Sequence, residues 1–179
     1  MRHDLQTKVQ KIRAFIFDVD GVLTDGGIIL DNHGIETKRF NIKDGWAIVE
    51  IKKYGFKTAV ITGRKSELVA KRMQDLKIDY LVQGALDKRE AYTQFKQQFD
   101  LSDDEIAYIG DDLIDLPLLM QCGLSACPGD AVSDVASRVD IVMHKMGGYG
   151  AVREFIEFVL RGQNRWDDVL QPYINGEKV

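Results

Sequence analysis

An apolar run begins at residue 14 and leads into two aspartates, Asp18 and Asp20, which Gly21 follows. A continuous apolar segment of this length is typical of a strand that is covered on both faces. We therefore predict a buried strand whose end delivers both carboxylates to the edge of a sheet. Two acids in that place are costly unless they bind a cation or take part in chemistry. Partners for them are expected elsewhere in the chain.

Predicted strands and helices alternate after this run. Further strands are expected at 57–61, 80–82, 106–109, 124–126 and 141–142. Helices are expected at 45–54, with Asp44 as its cap, at 66–76, at 87–99, after Asp112 to about residue 122, at 131–136 and at 151–160. This alternation is typical of parallel strands joined by right-handed crossovers. The predicted fold class is α/β, a doubly wound, Rossmann-like parallel sheet with helices on both faces, in one domain over residues 1–179.

Two segments depart from the alternation. Residues 27–40 contain two β-rich runs around a turn-forming quartet, which predicts a β-hairpin inserted after the first strand. Its apolar residues at 28–30 need a covering partner. Residues 162–179 are interpreted as a polar tail.

Composition excludes several classes of protein. The net charge of −4 gives no support for nonspecific binding to nucleic acid or to an anionic membrane. No apolar stretch approaches the roughly 20 residues that span a bilayer. The N-terminus lacks a signal-peptide core, and Cys122 and Cys127 have no zinc-ligand pattern around them. We expect a cytoplasmic protein with reduced thiols, and a disulfide between the two cysteines is the alternative.

Polar residues mark the ends of three predicted strands. Besides Asp18 and Asp20, Thr62 ends the second strand and Asp111 follows another, while Lys88 opens a helix. Sites of open parallel sheets form outside the carboxyl ends of the strands. Oxygen ligands alone favour Mg²⁺, which attracts a phosphate, and a hydroxyl and a lysine can hold the remaining phosphate oxygens. Phosphoryl transfer to a carboxylate, then hydrolysis, suits this set.

Four motifs, at 18–25, 61–64, Lys88 and 110–115, together resemble the haloacid dehalogenase superfamily of phosphatases. The resemblance implies that Asp18 is the nucleophile and Asp20 the general acid/base. It further implies the phosphoryl-binding residues Thr62 and Lys88, and the Mg²⁺ ligands Asp18, Asp111 and the main-chain carbonyl of Asp20. The gaps between the motifs leave no room for a cap domain.

Residues 40–45, 61–66, 108–115 and 147–154 more narrowly resemble the 3-deoxy-D-manno-octulosonate 8-phosphate (KDO 8-phosphate) phosphatase family. That resemblance implies a cap-less homotetramer in lipopolysaccharide precursor synthesis, with one subunit's hairpin or tail near another's site. The substrate-binding residues that it implies are Asp20, Asn41, Ile42, Lys43, Asp44, Gly45, Arg64, Arg72 and Lys88. Arg72 lies eight residues after Arg64, so both are expected near one helix face, where two guanidinium groups suit a sugar carboxylate.

Some residues have an ordinary structural alternative. Thr62 can cap a helix, Lys88 can be a solvated lysine, and residues 147–150 can be a flexible lead into a helix. Asp112 and Asp115 fit either first-turn helix acids or supports of the metal site. Two other functions stay open: a phosphatase for a nine-carbon ulosonate 9-phosphate, and a noncatalytic signalling domain that carries a phospho-aspartate.

Overall fold

The computed structural model describes residues 3–177, and the two residues at each terminus, including the last two of the predicted tail, lie outside it. The strands of the described chain are β1 (Ala14–Phe17), β2 (Ile29–Leu30), β3 (Glu36–Thr37), β4 (Lys57–Thr62), β5 (Tyr80–Gln83), β6 (Ile106–Ile109), β7 (Leu124–Cys127) and β8 (Ile141–Val142). The helices are α1 (His3–Lys11), α2 (Ile42–Lys52), α3 (Glu67–Asp75), α4 (Arg89–Phe99), α5 (Leu116–Leu119), α6 (Ser133–Ala136), α7 (Ala151–Gly162) and α8 (Trp166–Ile174).

Six of the strands form one parallel sheet in the order β5-β4-β1-β6-β7-β8, and β2 and β3 pair antiparallel as a separate hairpin. The predicted doubly wound α/β fold with an inserted hairpin is therefore confirmed. Between β1 and β4 the chain holds only the hairpin and α2, and between β4 and β6 only α3, β5, α4 and a short 3₁₀ turn, so no cap domain interrupts the described fold.

The central strand β1 explains why its sequence is continuously apolar. Phe15 and Phe17 pack into the core on one face of the sheet, whereas Ala14 and Ile16 pack into the core on the other. Successive side chains of a strand point to opposite faces, and both faces here are covered by helices. All four residues are fully buried, as the sequence predicts.

Helix α2 begins earlier than predicted. It starts at Ile42, because Asn41 is extended and its side chain accepts the backbone N–H of Lys43 at 2.8 Å. Asp44, the predicted cap of a helix from 45 to 54, instead accepts the backbone N–H of Arg153 at 2.7 Å in the first turn of α7. The buried Asp44 therefore caps a helix that is remote in sequence, which local patterns do not reveal.

The interpretation of residues 162–179 as a polar tail is wrong for most of their length. Helix α8 packs against the domain, with Trp166 and Val169 buried. The Tyr173 ring packs edge-on against Trp46, with 5.7 Å between the ring centroids. The Arg153 guanidinium lies 4.0 Å from the Trp46 ring centroid and 5.2 Å from that of Trp166. Trp166, Val169 and Leu170 share one face of this helix and pack into the core, and the aromatic contacts add to that packing.

Among residues 3–177, no helix is both long and apolar enough to cross a membrane. Cys122 and Cys127 are buried free thiols, in agreement with the expected reduced state.

Candidate active site

The chain order reverses across the sheet at β1, since β4 and β5 lie on one side of it and β6, β7 and β8 on the other. Phe17, the last residue of β1, pairs in register with Val60 of β4 and Ile109 of β6. Open α/β sheets bind ligands at such a switch point, outside the carboxyl ends of the strands. The residues that follow these three strands therefore meet in one crevice.

Lys88 lies at the centre of a buried ion cluster. Its Nζ is 2.7 Å from Asp18 Oδ1 and 2.6 Å from Asp115 Oδ1. The Tyr108 hydroxyl donates a hydrogen bond to the same oxygen of Asp115 at 2.5 Å. The side chains of Lys88 and Asp115 are at most 1% exposed. Lys88 is therefore no solvated surface lysine: it holds the proposed nucleophile against the sheet.

The second oxygen of Asp115, Oδ2, accepts the backbone N–H groups of Asp111 at 3.0 Å and Asp112 at 3.2 Å. Both oxygens of Asp115 are thus engaged, one by cationic and hydroxyl donors and one by the loop after β6. Asp115 fixes that loop relative to Lys88. These contacts are consistent with the alternative in which Asp115 supports the metal site.

One carboxylate oxygen each from Asp18, Asp111 and Asp115 lies within 4.8 Å of the others. Asp111 Oδ1 is buried and has no hydrogen-bond partner. Gly21, at φ +86°, leaves no room for a side chain beside Asp111. These oxygens fit a hard divalent cation, and because Asp115 is already satisfied, Asp18 and Asp111 are the side chains that remain to bind it directly.

The charges of the cluster shift its pKa values. Burial, with Asp18 and then Asp115 adding repulsion, raises the pKa of Asp111 to about 8. Burial also raises the pKa of Asp18, although the Lys88 ammonium opposes the shift. For Lys88 burial works against the charged form, but the two carboxylates outweigh it and raise its pKa. A site with this surplus of buried negative charge favours a cation.

Asp20 has different partners. Lys38 Nζ makes a short ion pair with Asp20 Oδ1, and the Lys38 side chain is 2% exposed. Glu36 Oε1 lies 3.7 Å from Lys38 Nζ and 2.7 Å from Arg64 Nη2. The second strand of the hairpin and the residue that follows it therefore reach the edge of the crevice.

The crevice encloses a cavity of about 280 Å³. Six of the predicted residues line it: Asp18, Asp20, Thr62, Arg64, Lys88 and Asp111. The apolar side chains of Leu86 and Ile114 also contribute, and they are 79% and 36% exposed. The cavity thus has a charged floor and a partly apolar rim.

Comparison with known proteins identifies the family. A model of haloacid dehalogenase-like hydrolases matches residues 81–156. The 3-deoxy-D-manno-octulosonate 8-phosphate phosphatase KdsC of Salmonella typhi is 41% identical over 164 residues, which cover 92% of this chain and 87% of that protein. The chain belongs to this phosphatase family. The resemblance inferred from the motifs is therefore confirmed.

Solved structures of the family share the fold. The phosphatase from Yersinia pestis matches with a TM-score of 0.90 at 38% identity, covering 92% of this chain and 89% of that one. The phosphatase from Moraxella catarrhalis, in complex with a magnesium ion, a phosphate ion and KDO, matches with a TM-score of 0.93 at 35% identity. That match covers 97% of this chain and 99% of the other.

The remaining predicted substrate residues, at 41–45 and Arg72, do not line the cavity. Asn41 caps α2 and donates its side-chain N–H to the carbonyl of Gly148 at 3.2 Å. The Arg72 guanidinium packs directly against Gly45. Arg64 precedes α3, which begins only at Glu67. Of these two arginines, only Arg64 lines the cavity, and the placement of both guanidinium groups near one helix face stays a prediction.

The other residues of the 41–45 segment divide by exposure. Ile42 is 76% exposed and Lys43 is exposed, whereas Asp44 is 1% exposed. Burial raises the pKa of Asp44 to about 6, against the hydrogen bond from Arg153. Asp44 orders the base of this segment, while Ile42 and Lys43 present its outer surface.

The glycine run at 147–150 is packed rather than a flexible lead. Gly147 lies against the carbonyl of Gly21, with no space for a Cβ. Gly148 donates its N–H to Val22 O at 2.9 Å, and Gly147 donates its own to Asp130 Oδ1 at 2.9 Å. The run therefore supports the loop that carries Asp20.

Sequence reasoning missed three polar residues of the site: Glu36, Lys38 and Tyr108. Tyr108 occupies a fully buried position of β6, where a tyrosine cannot be told from an ordinary core residue. Glu36 and Lys38 had a usable signal, because they are two residues apart in a predicted strand and so share one face.

Proposed function

We propose that this chain is a Mg²⁺-dependent phosphoric monoester hydrolase that removes phosphate from KDO 8-phosphate in lipopolysaccharide precursor synthesis. The observation that carries the proposal is the oxygen cluster of Asp18, Asp111 and Asp115 beside Lys88. The family relationship supports KDO 8-phosphate as the substrate, because the relative from Salmonella typhi is named as the phosphatase for that compound. Residues 1–179 would act as one phosphatase domain.

In the first step, an Asp18 carboxylate oxygen attacks phosphorus, and the bond from phosphorus to the sugar oxygen breaks. Asp20 gives its proton to the leaving alkoxide. In the second step, Asp20 takes a proton from water as the water oxygen attacks the aspartyl phosphate. The bond between phosphorus and Asp18 breaks, which releases inorganic phosphate and restores both aspartates.

The remaining residues bind and orient. Asp18, Asp111 and the main-chain carbonyl of Asp20 would hold Mg²⁺, which supplies positive charge next to the phosphoryl oxygens. The Thr62 hydroxyl and the Lys88 ammonium would hold further phosphoryl oxygens. Lys88 also keeps Asp18 in place, as its 2.7 Å contact indicates.

Recognition of the sugar acid would involve Arg64, Arg72 and residues 41–45. Arg64 lines the cavity, so its guanidinium can meet a substrate carboxylate there. Residues 41–45 and Arg72 do not line it, so they would contact the far end of a long substrate or a neighbouring subunit.

We also propose a cytoplasmic homotetramer. The hairpin exposes Ile28, Ile29, Leu30 and Ile35 by 54–62%. Such an apolar surface is typical of an interface between copies, and a neighbouring hairpin would take the place of the absent cap.

The test is phosphate release by the purified chain from KDO 8-phosphate, with Mg²⁺ or with a chelator. We expect Mg²⁺-dependent turnover that exceeds turnover of the nine-carbon ulosonate 9-phosphate. Faster turnover of the nine-carbon substrate would reassign the specificity. A stable phospho-aspartate without release would instead favour the noncatalytic signalling domain.

A further inference from the structure

The segment that follows the hairpin turn directs every second side chain toward the body of the protein. Glu36, Lys38 and Phe40 are half-buried, whereas the intervening Thr37 and Arg39 are exposed. This period of two is that of an extended strand with one covered face. Lys38 is thereby aimed inward, and its side chain is almost completely buried.

Among the described residues, two acidic side chains lie near Lys38 Nζ, and their distances from it differ widely. It makes a short ion pair with Asp20 Oδ1, and Glu36 Oε1 lies at 3.7 Å. Glu36 has its closer partner in Arg64, at 2.7 Å. A buried ammonium is costly without a well-placed acceptor, so the close contact with Asp20 is the one that accounts for burial of Lys38.

The two aspartates of the opening motif therefore have separate cations. Lys88 forms ion pairs with Asp18 and Asp115, whereas Lys38 forms an ion pair with Asp20. Asp20 is also absent from the group of carboxylate oxygens that can share a metal ion. The side chain of Asp20 is thus held apart from the metal-binding cluster, although it is only two residues from Asp18.

We infer that Lys38 is a positioning residue for Asp20: it holds Oδ1 and leaves Oδ2 for proton transfer to the leaving group. This inference rests on the proposed phosphatase function. Lys38 does not belong to the cavity wall, so it acts through Asp20 rather than on the phosphoryl group. Without it, the Asp20 carboxylate is free to turn toward the cation and away from the leaving oxygen.

The test compares kcat/KM for two substrates, because kcat/KM covers only the steps up to release of the alcohol. KDO 8-phosphate needs a proton on its leaving alkoxide, whereas p-nitrophenyl phosphate has a leaving group that departs without one. We expect Lys38→Met to lower kcat/KM for the sugar phosphate on the order of 10²-fold, and for the aryl phosphate less than about tenfold. Most of the loss should lie in kcat rather than in KM.

Three further variants separate positioning from general damage. Lys38→Arg keeps the charge and should regain at least about tenfold of the loss on the sugar phosphate. In an Asp20→Asn background, Lys38→Met should cost less than about threefold more, because coupled residues are not additive. Thr37→Ala changes an exposed side chain of the same segment without removing an ion pair, and should stay within about threefold of the wild type.

Equal losses on both substrates with a raised KM would overturn the inference and make Lys38 a substrate-binding residue. Full additivity with Asp20→Asn, or activity of Lys38→Met within about threefold of the wild type, would also overturn it. If thermal melting shows that Lys38→Met is unfolded, Lys38→Gln replaces it in the same comparison. A wild-type chain that hydrolyses neither substrate would defeat the proposed function and this inference with it, whereas an active wild type isolates the role of Lys38.

Discussion

Lys88 and Lys38 each pair with an aspartate of the same short motif, but different parts of the fold hold them. Lys88 precedes α4 and lies among the fully buried Tyr108 and Asp115, at the ends of a six-stranded sheet. Lys38 follows β3, in a hairpin whose strands are only two residues long and whose outer face is exposed. The nucleophile therefore stands on a fully buried, tightly packed part of the molecule, here called the rigid side. The acid/base depends on the hairpin, which has little support of its own.

This difference has a functional consequence. Groups that must meet phosphorus at one fixed distance benefit from strand ends whose rotamers are fixed by packing. A hairpin of two short strands is marginal alone, so its placement depends on what covers it. Assembly of copies would therefore complete the acid/base side of the site more than the nucleophile side.

The largest expected effect is on the rigid side. Asp18→Asn removes the nucleophile and should lower phosphate release by at least about 10⁴-fold. Lys88 retains Asp115 as its partner, and the buried negative charge decreases, so the melting temperature should not fall. Phosphate release and thermal melting of the same preparation provide the measurement. A folded Asp18→Asn chain with substantial Mg²⁺-dependent turnover would refute the nucleophile assignment.

Lys88→Met should be nearly as severe for activity and, unlike Asp18→Asn, should also destabilise the fold. It leaves the buried carboxylates of Asp18 and Asp115 without their cation, which costs about 3–5 kcal/mol in the free energy of unfolding. Denaturant titration measures that loss. The control is Lys71→Met, an exposed lysine of α3, which should change neither quantity. If Lys88→Met were as stable as the wild type, the ion cluster around Lys88 would not be what stabilises the rigid side.

The rigid side was also the more predictable one. Asp18, Asp20, Thr62, Lys88 and Asp111 could be brought together from sequence because each lies at the end of a strand or the start of a helix, and a parallel sheet gathers those ends at one edge. This logic needs only the order of the elements. It does not depend on which side chains touch.

The contacts that the sequence did not reveal depend on packing between remote segments. Asp44 accepts a hydrogen bond from Arg153, and the Arg153 guanidinium lies over Trp46 and Trp166. Neither contact has a periodic signature, so Asp44 was assigned to the wrong helix. For α8 a signal did exist, since Trp166, Val169 and Leu170 recur at helical spacing, and the interpretation as a tail overlooked it. The pairing of Lys38 with Asp20 is likewise a contact between separate segments. The twist of the hairpin determines which residue its inner face brings to Asp20, and the sequence does not give that twist.

Metal binding and pH should be linked on the rigid side. The pKa of Asp111 is raised to about 8 and that of Asp18 is also raised in the metal-free chain. The folded chain then binds protons that the unfolded chain, with an aspartate pKa near ~3.9, releases. Metal-free stability should therefore rise as pH falls from above 8 toward 5. Mg²⁺ needs the ionised carboxylates, so its apparent Kd should increase as pH falls, by up to about tenfold per unit for each proton displaced.

Thermal melting at pH 6 and pH 8, with chelator or with Mg²⁺, measures both effects. With chelator the melting temperature should be higher at pH 6, and the gain from Mg²⁺ should be larger at pH 8. Asp111→Asn removes one titrating group and should reduce both differences. A metal-free chain that is more stable at pH 8 than at pH 6 would contradict the raised pKa values.

The smallest effect is expected on the hairpin, where Ile29 is 54% exposed. Ile29→Glu should leave the fold of a single chain within about 0.5 kcal/mol of the wild type, because the side chain has little packing to lose. If copies cover the hairpin, the charge should shift the tetramer toward smaller species and lower turnover of the sugar phosphate about tenfold through misplacement of Asp20. Light scattering and kinetics on one sample test both parts.

Met120→Glu, at an apolar side chain that is 64% exposed outside the hairpin, should change neither mass nor turnover. A wild-type chain that is already monomeric at micromolar concentration would refute the tetramer, and the acid/base side would then have to be held by Lys38 and Glu36 of its own chain alone.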